Sequence, residues 1–376
     1  MKIAVLKETA AGETRCAAIP ETGKKFVALG AGVAVERGAG EHASIPDEEF
    51  ETAGATVGSR EEVLGGADVI LCINGPEPAS LSGAKNGAML VGALDPLRGR
   101  ETIDGYAAAG LDALAMEWMP RITRAQSMDI LSSQSNLAGY KAVVDGASVY
   151  GRAFPMMMTA AGTINPAKVF VMGVGVAGLQ AIATAKRLGA QVSATDVRSA
   201  TREQIQSLGA KPIFVENVAG IEGEGVGGYA TETSPEYQKA QAELVSGHIA
   251  KQDIVITTAL IPGKPAPRLI SDSQIATMRP GSVIVDMAAD AGGNVEGTVP
   301  GESVVKHGVT IVGASNLART LAADASALFA RNLYNFLSAF WDKEQGQPVF
   351  PDDDEIVKAI RLTHGGKVVN ERLTAA

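Results

Sequence analysis

Val169-Phe-Val-Met172-Gly173-Val-Gly175-Val-Ala-Gly178-Leu-Gln-Ala-Ile-Ala-Thr-Ala-Lys-Arg-Leu188 sets an apolar strand, a glycine turn and an alanine-rich helix in immediate succession. In that order a Gly-x-Gly-x-x-Gly spacing acquires a mechanism. The first glycine makes the tight turn, the second lets a pyrophosphate approach the backbone, and the third lets the helix pack closely on the strand. The anion would rest on the helix N-terminus, where unsatisfied N–H groups and the helix dipole favour negative charge. In a chain with 43 glycines the bare spacing is as readily an ordinary turn, and it is the flanking strand and helix that point to a dinucleotide-binding domain.

The next strand, Gln191–Thr195, ends at Asp196. A carboxylate there, about 20 residues past the glycines, can accept hydrogen bonds from ribose hydroxyls and repel a 2′-phosphate, which favours NAD over NADP. Arg198 could pair with a 2′-phosphate, but it reads better as a solvated loop charge. Further strands are expected at Pro212–Val215, Asp253–Thr257, Ser282–Asp286 and Thr310–Val312. With Lys168–Met172 and Gln191–Thr195 these make six strands, with helices between most of them, as a doubly wound nucleotide fold requires. After the third strand comes a glycine-dense insertion, Gly220-Ile-Glu-Gly-Glu-Gly-Val-Gly-Gly228-Tyr229-Ala-Thr-Glu232. Such a loop is either a mobile lid, here near 217–234, or disordered, and Tyr229 is its one side chain able to anchor a closed form.

Upstream, a second alternation predicts another parallel sheet with helical cover. Its strands are Ile3–Leu6, Val33–Val35, Val69–Cys72, Ala88–Val91 and Leu111–Met116, and its helices lie near Glu21–Leu29 and Arg60–Leu64. A length of 376 residues suits two domains with full cores. A helix bridging them is expected from Met128 to Phe154, stopped by Pro155 and Gly162. Another long helix, Ala323 to Phe340, leads to the acidic run Asp352-Asp-Asp-Glu355, which is expected to return to the first domain. A formal net charge of -9 makes nucleic acid and anionic lipid poor partners. Cys16 and Cys72 lie far apart without ligand spacing, so they read as reduced core thiols of a cytosolic protein, and no metal is expected. The short N-terminal apolar run is a first strand, not a signal peptide, and no segment reads as a membrane span.

Between the two alternations lies Met119-Pro-Arg121-Ile-Thr-Arg-Ala-Gln126-Ser-Met-Asp129-Ile-Leu-Ser132-Ser-Gln-Ser-Asn136. Two cations, a carboxylate, amides and hydroxyls converge here. They can be a polar helix start capped by Ser and Asp, or a ligand site in an interdomain cleft, where such sites prefer to form.

That block, together with Phe154-Pro-Met-Met-Met-Thr-Ala-Ala-Gly162, the run Gly173 to Gly189, Ala194-Thr-Asp-Val197-Arg198, Thr257-Thr-Ala259-Leu260-Ile-Pro-Gly and Ala322-Ala-Asp-Ala-Ser326, resembles the NAD(H)-binding alpha component of proton-translocating, Re/Si-specific NAD(P)+ transhydrogenases. The likeness runs from about Met116 to Phe336 and is looser over the first hundred or so residues. It implies two Rossmann-like, doubly wound α/β domains with parallel sheets, flanking a cleft and joined by long helices. The first, like that of alanine dehydrogenase, would comprise 1–125 with 325–376, and the NAD(H) domain 126–324. The resemblance further implies hydride transfer between NAD(H) here and NADP(H) on a partner beta subunit, coupled to proton movement through a membrane-spanning subunit. It implies a homodimer, cytoplasmic and attached through its partners to the inner face of the membrane. By position, Arg121, Gln126, Asp129 and Ser132 would surround the nicotinamide and its ribose. The rest of NAD(H) would meet Gly173, Gly175, Val176, Ala177 and Gly178, then Asp196, Val197 and Arg198, and finally Gly228, Tyr229, Ala259 and Leu260.

Alanine dehydrogenase shares the expected architecture. Lys7-Glu8…Glu13-Thr-Arg15 resembles its N-terminal pattern, in which the arginine grips the substrate carboxylate, and Asp286-Met-Ala-Ala-Asp290-Ala-Gly-Gly is also similar. Asn74, however, stands where that family's substrate lysine would be, and the histidines, His42, His248, His307 and His364, lie outside the segment that follows. Oxidising an amino acid needs a proton acceptor, so the loss argues against that activity. Arg15 and Asp290 then read as structural remnants, Asp290 with a remaining prospect of touching nucleotide. A non-catalytic NAD(H) sensor is the third reading.

Overall fold

The computed structural model describes residues 1–216, 234–261 and 263–374. They form two compact units, Met1–Gln134 with Arg319–Ala376, and Ser135–Ala318. The division falls after Gln134 and after Ala318. The reason is local packing. The Ser127 carbonyl accepts hydrogen bonds from Asn332 and Asn335 (2.8 and 3.0 Å), which ties the 123–128 turn to the long helix Ala322–Ala339 of the first unit.

In the first unit, β1 (Lys2–Val5), α1 (Pro20–Ala28), β2 (Gly32–Glu36), α2 (Asp47–Thr52), β3 (Thr56–Gly58), α3 (Arg60–Leu64), β4 (Val69–Asn74), β5 (Met89–Ala93), α4 (Arg100–Ala108) and β6 (Asp112–Ala115) follow in order. All six strands are parallel, arranged β3-β2-β1-β4-β5-β6. Because side chains alternate across a strand, Ile3 and Val5 face one core with Phe26, Phe329 and Phe336, while Ala4 and Leu6 face another with Ile103 and Tyr106. Burial on both faces explains why these strands are continuous apolar runs. The acidic run returns to this unit: Arg124 grips Asp354 through two nitrogens, at 2.8 and 3.0 Å, and Asp354 caps the helix Glu355–Ile360.

Helix α5 spans Ile130–Val149, stopping short of the expected Phe154. Next comes an exposed hairpin, β7 (Met157–Thr159) and β8 (Gly162–Ile164), which the apolar pattern did not announce. The second unit then runs β9 (Lys168–Met172), α6 (Val176–Arg187), β10 (Gln191–Thr195), α7 (Thr201–Ser207), β11 (Lys211–Pro212), α8 (Pro235–Ile249), β12 (Ile254–Thr257), α9 (Asp272–Ile275), β13 (Val283–Asp286), β14 (Ser303–Lys306) and β15 (Val309–Gly313). Its sheet is ordered β11-β10-β9-β12-β13-β15-β14, parallel except for the edge strand β14. The fold is thus the expected pair of doubly wound parallel sheets. Beyond the expected strands it holds β3 and β14, both short edge strands of mixed polarity. Cys16 and Cys72 are free and buried, and burial pushes the Cys16 thiol up to about 12. Among the described residues no helix is long and apolar enough to cross a membrane.

Glu117 is an oddity of the first unit. Its Oε1 accepts the Leu94 and Asp95 N–H groups at 2.7 and 2.6 Å, whereas Oε2 is buried with no partner among the described residues. Burial, only partly offset by those N–H groups, raises its pKa to about 7. Between its ordinary value of 4.5 and about 7, the folded chain holds a proton that the unfolded chain has released. Stability contributed by this group is therefore lost as pH rises through that window. Glu117→Gln should remove the slope, so that urea midpoints of the variant gain on the wild type between pH 5 and pH 8. Parallel profiles would refute it.

Candidate functional site

The strand order of the second unit reverses between β9 and β12, and in sheets of this kind ligands bind beyond the carboxyl ends of the strands at such a point. Gly173 lies at that end of β9, with φ +99°, a conformation that side chains with a Cβ rarely adopt. A Cβ on Gly178 would lie 1.9 Å from the Gly173 carbonyl oxygen, so only glycine lets α6 approach the turn this closely. Below, a Cβ on Gly139 of α5 would lie 2.1 Å from the Ala177 carbonyl. At Gly175 the position of a Cβ is open space. Gly175 precedes the first turn of α6 with no side chain capping it, which leaves the helix N–H groups as anion donors. The cradle fits a pyrophosphate.

The other expected contacts in this unit are stitched to the turn. The Val174 N–H donates to Asp196 Oδ2 at 2.7 Å, and the Thr258 hydroxyl donates to the Gly173 carbonyl at 2.9 Å. Val176 and Ala177 begin α6, Val197 is half-buried beyond β10, and Ala259 and the exposed Leu260 follow β12. Asn294 carries no expectation from sequence. Fully buried, it takes the Ala259 N–H on Oδ1 (3.0 Å) and donates to the Ala259 and Pro267 carbonyls (2.9 and 2.8 Å), fixing the backbone at the end of β12. Its signal is faint: an amide directly after Gly292-Gly293. Asp290 accepts the Asn316 N–H at 3.2 Å. Gly228 and Tyr229 lie outside the described residues, as does nearly all of the expected lid.

Arg198 is not the solvated loop charge expected of it. It is 7 % exposed, and it grips the equally buried Asp196 through Nε to Oδ1 and Nη2 to Oδ2, both at 2.9 Å.

Arg121, Gln126, Asp129 and Ser132 belong to the first unit. Arg121 and Gln126 are exposed. Asp129 accepts the Ser132 N–H at 3.0 Å and the Ser132 hydroxyl at 2.5 Å, so it caps the start of α5. The polar helix start that composition allowed is therefore real, and it fixes Asp129 and Ser132 against one another.

A second polar cluster occupies the corresponding end of the first sheet. Glu13 clasps Arg15 through Oε1 to Nε (2.8 Å) and Oε2 to Nη2 (2.7 Å), both side chains buried. Burial works against the Glu13 charge, but Arg15 outweighs it and brings the carboxyl down to about 2. Arg15 Nη1 donates to Gln134, and Asn74 donates to Glu8 and Glu13 at 3.1 Å each. Arg15 is thus already paired with a carboxylate of its own chain. Among the described residues no group of three or more His, Cys, Asp and Glu side chains could hold a metal ion.

Fold and glycine cradle together define a two-unit α/β protein with a Rossmann-type nucleotide site. Models of the alanine dehydrogenase/PNT family match it twice, the N-terminal domain over residues 4–138 and the C-terminal domain over 142–371. The chain belongs to that family. It is 53 % identical over 380 residues to the first of the alpha-subunit chains of the NAD(P) transhydrogenase of Rhodospirillum rubrum, covering 100 % of this chain and 99 % of the relative. A transhydrogenase structure from Sinorhizobium meliloti superimposes with a TM-score of 0.89 at 52 % identity, covering 98 % of this chain and 100 % of the other. Alanine dehydrogenase of Mycobacterium tuberculosis is 30 % identical over 310 residues, 80 % of this chain and 76 % of the relative.

Two glycine variants separate cradle from fold. Gly175→Ala enters open space, so thermal stability should hold while NADH affinity falls about tenfold, the equivalent of about 1.4 kcal/mol. Gly178→Ala must push the turn apart, costing about 1–3 kcal/mol of stability as well as affinity. Thermal melts and NADH titration check both, and unchanged affinity in Gly175→Ala would remove the cradle assignment.

Proposed function

We propose that this chain is the NAD(H)-binding component of a proton-translocating NAD(P)+ transhydrogenase. In this reading hydride passes between NAD(H) here and NADP(H) on a partner beta subunit, and a membrane-spanning partner carries the protons and holds the chain at the cytoplasmic face of the inner membrane. The near full-length likeness to the R. rubrum subunit supports it. The observation that carries it over an alanine dehydrogenase activity is Asn74, which stands where that family's substrate lysine would be and whose amide donates to Glu8 and Glu13.

When bound, NAD(H) supplies a hydride donor or acceptor at nicotinamide C4. That exchange needs no acid or base, so the chain's task is to position groups and manage charge. The glycine turn and α6 would hold the pyrophosphate. Asp129, whose orientation Ser132 fixes, would favour the positively charged oxidised ring, with Arg121 balancing the carboxylate. Gln126 and Ser132 would orient carboxamide and ribose.

Mixing the chain with the NADP(H)-loaded partner domain of a transhydrogenase should give hydride transfer from NADH to an NADP analogue. Tight NADH binding without transfer would defeat the catalytic reading in favour of a sensor, and alanine-dependent NAD reduction would replace it. Gln126→Asn and Asp129→Asn should each slow transfer far more than they weaken NADH binding. Equal losses would make those residues simple clamps.

The homodimer belongs to the same proposal. Met156, Met157, Met158 and Ile164 on and beside the β7–β8 hairpin are all exposed, and a two-stranded hairpin is marginal in water by itself. A second copy of this chain would cover it. Met158→Asp should shift sedimentation from dimer toward monomer, and an unchanged dimer would clear the hairpin of that role.

A further inference from the structure

We propose that Arg198 is a latent receptor for a 2′-phosphate, held shut by Asp196, so that the choice of NAD(H) over NADP(H) rests on this ion pair and not on the carboxylate's charge alone. The inference rests on the reading of the second unit as an NAD(H) site.

Four donors converge on the Asp196 carboxylate. Oδ1 accepts the Arg198 backbone N–H and Nε, each at 2.9 Å, while Oδ2 accepts the Val174 N–H at 2.7 Å and Arg198 Nη2 at 2.9 Å. Each carboxylate oxygen thus carries two hydrogen bonds, which is about its capacity. Nη2 of Arg198 also donates to the Val174 carbonyl at 3.2 Å, so the guanidinium bridges the end of β10 and the glycine turn. Both side chains are more than nine-tenths buried.

With a guanidinium against it, Asp196 presents little net negative charge, so repulsion of a 2′-phosphate by that carboxylate is largely cancelled. Exclusion then has to come from the engagement of Arg198: Nε and Nη2, one edge of the guanidinium fork, are turned to Asp196 and Val174. In a Rossmann unit the residue after the second strand is where an acidic group takes the adenosine ribose, and a nearby arginine is what accommodates a 2′-phosphate when the acid is lost. Here both chemistries stand at one position, the second masked by the first. An arginine released from its carboxylate would meet a phosphate with the bidentate fork that makes such pairs strong.

The test titrates NADH and NADPH, by their fluorescence, into the full chain and its variants. Asp196→Ala should tighten NADPH by roughly tenfold to a hundredfold, the range of one or two hydrogen bonds to a charged group. Asp196→Asn retains an oxygen for the Val174 N–H and keeps the turn intact should the alanine variant fold poorly, and it should show the same gain. In Asp196→Ala with Arg198→Ala the NADPH gain should vanish. A folded Asp196→Asn that binds NADH without gaining NADPH affinity would overturn the proposal, as would a gain that survives removal of Arg198. A wild-type chain that binds no NADH would overturn the nucleotide reading itself, and this inference with it, so the two failures are told apart.

Discussion

The close approach of helix α6 to the turn before it is the constraint on which the second unit depends. With Gly173 and Gly178 nearly in contact through carbonyl oxygen and Cα, and Gly139 admitting the Ala177 carbonyl from below, the start of α6 is fixed by backbone against backbone. No rotamer can relax it. The ends of three strands are then tied to the same point: β9 through Gly173 itself, β10 through the Val174 to Asp196 bond, and β12 through Thr258. Asn294 extends the tie to the loop after β12. A shift of the helix start by an ångström would have to break several of these bonds together.

The two units share a strand order, and they treat the point where it reverses in opposite ways. In the second, among the described residues, it is bordered by glycines and by the start of α6, which no side chain caps. In the first it is bordered by Glu8, Glu13, Arg15 and Asn74, a cluster whose members hydrogen-bond one another. A buried ion pair of this kind is weak evidence of net stabilisation, because desolvation offsets most of its attraction, but removing either partner alone leaves an uncompensated buried charge. Such a cluster is therefore hard to change one residue at a time.

The sequence made the fold legible wherever burial is two-sided. Ile254–Thr257 and Val283–Asp286 are short apolar runs with no polar face, and they read directly as central parallel strands. Edge strands lack that signature: β14 alternates exposed and half-buried residues, and β3 is three residues long. The hairpin at Met157–Thr159 is hidden in the sequence because its apolar side chains are not buried in the unit that carries them. At the site, the glycines and Asp196 are legible because backbone geometry demands particular residue types. Arg198 is not, because a charge two residues past a strand resembles any loop charge, and nothing in one-dimensional spacing says that it folds back onto Asp196. Asn294 escapes notice because an amide that satisfies backbone groups carries no pattern of its own.

Asp129 and Ser132 form a helix cap that, in the proposed site, would also constrain a ligand. A carboxylate at a helix start is favoured by the dipole and by the N–H groups it satisfies, so its orientation follows from the fold and not from the cofactor. The Ser132 hydroxyl has one hydrogen, and it is directed at Asp129 Oδ2. Toward anything else its oxygen can then act only as an acceptor. In the proposed site Ser132 would therefore pair with a donor, a ribose hydroxyl or a carboxamide N–H, and would not pair with a carbonyl. Gln126, with both a donor and an acceptor on one amide, carries no such restriction, and in the proposed site it would be the group left to take the carboxamide oxygen. In that reading the division of labour between the two residues would follow from the single hydrogen that Ser132 directs at Asp129.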